Sequence, residues 1–76
     1  MPHRLTLTEA VTTHALRLLA LPGVVGVAEG ESAGGAPCVR IYVTVLTPDL
    51  RGWLPPVLEG WPVEVEECGP VRPVGG

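Results

Sequence analysis

Residues 38–45 read CVRIYVTV, and their alternation decides the kind of fold this chain builds. Val39, Ile41, Val43 and Val45 fall on one face, with Cys38, Arg40, Tyr42 and Thr44 on the other, which is the period of a half-buried strand. Such a strand needs a neighbour for its backbone groups and a second layer over its apolar face. Immediately upstream, GVVGVAEG (23–30) reads as a short strand, with Val25 and Val27 on one face and Val24, Gly26 and Ala28 on the other. The intervening ESAGGAP (31–37) is a turn by composition, so the two strands are expected to form an antiparallel hairpin. Downstream, WPVEVEEC (61–68) supplies a third strand, Val63 and Val65 inward and Glu64 and Glu66 in water.

The covering layer comes from the N-terminal third. Thr6 stands three residues before Glu9, the spacing of a capping box. From there Leu7, Val11, His14, Leu18 and Leu21 recur along one stripe of a helix, flanked by Ala10 and Ala15, until Pro22-Gly23 stops it. Leu16 falls opposite that stripe and Leu19 to its side, which makes both candidates for a contact with another subunit. LTPDLRGWLPPVLEG (46–60) is studded with Pro and Gly and has room for a turn of helix around Pro48 to Arg51.

These elements predict an α+β fold: one amphipathic helix on a three-stranded, mainly antiparallel sheet. A further strand at Pro2 to Leu7 would make four and give a degenerate ferredoxin-like order. With 76 residues the chain is read as one domain, 1–76, with 70–76 as a flexible tail.

Composition narrows the functional classes. Lys, Asn, Gln and Phe are absent and all five basic residues are Arg, as codon bias in a GC-rich genome would give. The missing amides also fit a thermophile. Net charge is −3, and the arginines at 4, 17, 40, 51 and 72 form no cluster, so no nucleic-acid footprint is present. No apolar run is long enough for a signal peptide or a membrane span, which leaves a cytoplasmic protein as the expectation.

No catalytic constellation stands out. Ser32, the only serine, lies in a Gly-rich turn without a nucleophile-elbow context, and His3 and His14 are the only histidines. The chain is therefore read as a non-enzyme with no cofactor. Cys38 and Cys68 are weak metal candidates: no CxxC is present, and free cysteines are commonly buried. If their strands were antiparallel neighbours the two thiols could face each other. Glu64, Glu66 and Glu67 form a small acidic strip, a solvated edge or a seat for a basic partner. Trp53 and Trp61 flank the Pro-rich loop and either plug the core or anchor an interface, the core role being favoured because Phe is absent.

Two resemblances follow from these segments. LPGVVGVAEG, VRIYV and LPPVLEGWPVEVEECGPVRP together resemble an uncharacterised module that precedes trypsin-like peptidase domains in some bacterial proteins. The matching positions are Val25-Gly26-Val27, Ile41-Tyr42-Val43, Leu54-Pro55, Gly60, Pro62-Val63 and Gly69. They are structural residues, and this resemblance implies a module without proteolysis. LRLLALPGVVGVAEG is also similar to heavy-metal-associated domains, whose CxxC has no counterpart in MPHRLTLTEA, so that resemblance implies a fold and no metal site.

The expectation is thus a non-catalytic domain acting through protein contacts or self-association, with Leu16, Leu19, Trp53 and Trp61 as interface candidates. Two alternatives remain. The terminal Gly75-Gly76 suits a sulfur carrier or ubiquitin-like modifier, although such folds open with a hairpin and this chain opens with a helix. Cys38 and Cys68 suit a soft-metal binder.

Overall fold

A computed structural model of the chain describes residues 5–69. The order of elements is α1 (Leu7–Leu19), β1 (Val24–Glu31), β2 (Pro37–Val43), α2 (Pro48–Trp53), β3 (Val57–Leu58) and β4 (Trp61–Glu67). The fold is α+β, one main helix packed on a four-stranded mixed sheet of order β1-β2-β4-β3.

The capping box forms as its spacing predicts. The Glu9 N–H donates to Thr6 Oγ1 at 3.1 Å and the Thr6 N–H to Glu9 Oε1 at 2.9 Å. Such a cap contributes about 1 kcal/mol. At the other end Gly23, at φ +91°, turns the chain out of the helix and into β1, and the Thr44 N–H closes that corner on the Gly23 carbonyl at 2.9 Å. Because α1 and β1 are joined so tightly, the helix lies chiefly over β1 and less over β2.

β1 and β2 pair antiparallel, as their connecting turn predicts. β2 and β4 pair in parallel, Val39 beside Val63 through Val43 beside Glu67. The reason is the segment 44–60. It carries the chain back along the sheet before β4 begins, so β4 must run in the direction of β2. The fourth strand is β3, not the N-terminal segment. Leu5 and Thr6 belong to no strand and Leu7 starts the helix, while residues 2–4 lie outside the described residues, as does the 70–76 tail. β3 was missed because it is two residues long. Leu58 pairs with Trp61 across Glu59-Gly60, whose φ of 52° and 84° mark a type I′ turn. The helical segment after Thr47 also runs past Arg51 to Trp53.

The core lies between α1 and the sheet, with Ala10, Leu18, Val24, Val39, Ile41, Val43, Leu50, Leu54 and Leu58 buried. Each large side chain among them contributes about 1.5–3 kcal/mol. Val63 and Val65 are partly buried against this cluster, since α1 does not reach over β4. Three alternation calls need correction. A bulge between Val24 and Gly26 inserts Val25 as an extra residue, so Val24 and Val27 face the core together and Val25 is turned out, 48% exposed. Val45 is exposed because β2 ends at Val43 and the chain turns away from the sheet. Cys38 is fully buried although alternation puts it on the outer face, because it stands across from Gly30, over which the Arg40 side chain packs.

Candidate functional site

The sheet has two outer edges and one uncovered face. On that face Arg40 organises the middle. Its Nη2 donates to Glu66 Oε1 at 2.8 Å, its Nη1 to the Glu31 carbonyl at 3.3 Å, and its guanidinium lies 6.0 Å from the Tyr42 ring centroid. Desolvation is the largest single influence and opposes the charge, but the Glu66 carboxylate, Tyr42 and Cys38 together outweigh it, so Arg40 is held above its ordinary pKa. Gly30 makes this path possible: a Cβ there would collide with Cγ and Cδ of Arg40. The acidic strip is thereby divided. Glu66 is paired with Arg40, Glu67 Oε2 accepts the Leu46 N–H at 2.7 Å, and Glu64 is exposed.

His14 lies on the apolar side of α1 but makes polar contacts. Arg17 Nη2 donates to His14 Nδ1 at 2.6 Å, which leaves the proton on Nε2, 3.1 Å from Glu59 Oε1. Glu59 belongs to the β3–β4 turn, so His14 ties the helix to that end of the sheet. Trp61 does likewise: it packs partly against the core and its Nε1 donates to the Leu5 carbonyl at 2.8 Å. Trp53, by contrast, is 55% exposed on α2, so the favoured core role holds only for Trp61.

A shallow groove of about 530 Å³ separates α2 from β4, with Leu54, Pro55 and Pro56 on one side and Val63, Glu64 and Val65 on the other. Arg51 and Glu64 are its charged groups, and it holds neither a nucleophile nor an imidazole. Among the described residues no three His, Cys, Asp or Glu side chains stand close enough to hold a metal ion. The parallel seam also separates the cysteines. Cys68 donates its N–H to the Val43 carbonyl and so stands level with the end of β2, whereas Cys38 stands at its start. The six strand positions between Cys38 and Thr44 span roughly 20 Å, too far for a shared metal or a bridge. His3, Gly75 and Gly76 lie outside the described residues.

The remaining candidates converge on the first edge. Leu16 is 84% exposed and Leu19 43%, both turned from the core as the helical spacing predicts. Thr8, on the same flank as Leu19 at about 100° per residue, donates its hydroxyl to Glu29 Oε2 of β1 at 2.9 Å. His14, on the apolar stripe, reaches the β3–β4 turn at the other side of the sheet. Leu19 therefore lies on the flank of α1 toward the outer side of β1. Among the described residues, β1 has β2 on one side and no strand on the other. This edge could not be found from the sequence, because nothing in a local pattern states the order of strands in a sheet.

No family model matches the chain, and no curated protein and no solved structure matches it. Its function has to be argued from this geometry.

Proposed function

We propose that the protein is a non-catalytic domain that works through protein–protein contact, and that its contact surface is the β1 edge with the flank of α1 toward it. The observation that supports this reading is the combination of a β1 edge that has no outer neighbouring strand among the described residues and an exposed Leu19 on the flank of α1 toward that edge. A free edge offers a row of backbone donors and acceptors, and an apolar rim gives the burial that makes pairing favourable. The likeness to a module preceding peptidase domains fits a non-catalytic reading, since it implies a module without proteolysis. The groove beside α2 favours no catalytic alternative.

A photo-crosslinking residue placed at Leu19 in native cells tests it, with the same residue at Glu64 on the uncovered face as control. The expected result is a discrete protein adduct from position 19 and none from position 64. No adduct from 19, or equal adducts from both, would overturn the reading.

A further inference from the structure

We propose that the groove between α2 and β4 is the seat of the chain's own residues 72–74, which return along the outer edge of β4 as a short antiparallel strand. This goes beyond the contact reading of β1 and does not depend on it.

The groove follows the edge of a strand. Val63 and Val65 point to one face of the sheet and Glu64 to the other, yet all three line it. β2 occupies the other side of β4, so this is the outer edge. The Val63 N–H donates outward to the Pro56 carbonyl at 3.1 Å, and the Cys68 N–H donates to the Val43 carbonyl on the β2 side at 2.7 Å. Alternation between these two fixed points turns the N–H and C=O groups of Val65 and Glu67 outward as well. β3 reaches only Trp61 and Pro62, so among the described residues no strand meets those groups.

Residues 70–76 set out from the near end of this groove. Leu46 lines it, and the Leu46 N–H donates to Glu67 Oε2 at 2.7 Å, two positions before Gly69. At Gly69 a φ of +74° bends the chain out of the line of β4, and its N–H is held by the Thr44 carbonyl at 2.9 Å. The way back from Gly69 to Val65 is about 13 Å, within the roughly 17 Å that residues 70–74 cover when extended.

Sequence selects the register. A residue facing Glu67 or Val65 must donate an N–H as well as accept one, so neither partner is proline. Residues 70–76 read PVRPVGG. Arg72 opposite Glu67 and Val74 opposite Val65 meet that condition, with Pro70 in the connection and Pro73 opposite Glu66, in a pair that needs no N–H. A shift of one residue either way sets Pro73 against Glu67 or Val65. A shift of two sets Val74 against the Glu67 carboxylate. Only the first register gives an opposite-charge pair and an apolar pair across the strands.

Charge agrees with this occupant. Glu66 is already held by Arg40, which leaves Glu64 and Glu67 along an edge whose groove contains one arginine, Arg51. Arg72 supplies a second. Carboxylates that discourage a foreign strand thus favour one that carries arginine.

Amide hydrogen exchange of the full chain, read by NMR, tests the seat. In the unaltered chain the Val65 and Glu67 amides should exchange about tenfold or more slowly than in Val74→Pro, which deletes the donor to the Val65 carbonyl. The Val63 amide, held by Pro56, should be unchanged and so report an intact fold. Arg72→Glu should also strip protection from Val65 and Glu67, whereas Val71→Ala should leave it. Val65 and Glu67 amides that exchange alike in all four chains would overturn the proposal. Protection that falls on dilution of the unaltered chain would place another copy at this edge and overturn residues 72–74 as its occupant.

Discussion

The two edges of the sheet are treated in opposite ways. The β3–β4 edge is guarded. β3 covers only the start of β4, Pro56 takes the Val63 N–H at 3.1 Å, and the rest of the strand carries Glu64, Glu66 and Glu67. Proline, carboxylates and a short covering strand are the usual means of keeping an edge from pairing. The β1 edge carries no proline and no covering strand among the described residues, and its carboxylates, Glu29 and Glu31, are confined to its far half. The contrast teaches that a small sheet can guard its two edges unequally, and the proposed contact side is the less guarded one.

Three substitutions break or sharpen this comparison. Ile41→Ala should have the largest effect. Ile41 is fully buried in the strand between the two edges, and such a truncation costs about 2–5 kcal/mol. Chemical denaturation should show a single lowered midpoint, and hydrogen exchange should show both edges losing protection together. Gly30→Ala should come next, costing about 1–3 kcal/mol by overpacking. It displaces Arg40 from its path over β1, so the β1 side should lose more protection than β4. Glu66→Ala should be the smallest. It frees Arg40 from the β4 side alone, and the small fall in thermal midpoint should vanish in about 1 M salt, where the Debye length is about 3 Å.

Much of the layer structure was legible from residues alone. The Thr6–Glu9 cap, the apolar stripe of α1 and the alternation of Val39, Ile41 and Val43 are local patterns, and each appears where its spacing predicts. What failed was set by neighbours at a distance. One inserted residue at Val25 put Val24, in place of Val25, on the core face with Val27. β3 escaped because Glu59-Gly60 is an unusual pair for a type I′ turn and its strand is two residues long. The parallel sense of β4 depends on where the chain lies after segment 44–60, which no local period records. At the proposed contact surface the same division holds: Leu16 and Leu19 were readable as off-face leucines, while the free edge of β1 required the strand order.

The parallel seam between β2 and β4 also sets the order in which the chain assembles. α1, β1 and β2 are joined by short turns, so their contacts close small loops, whereas β4 reaches β2 only after the whole of 44–60 has been traversed. Loop-closure entropy favours the local unit first. The helix and hairpin therefore form the early nucleus and the glutamate-bearing strand docks last. The chain thus completes its less guarded edge before its guarded one exists.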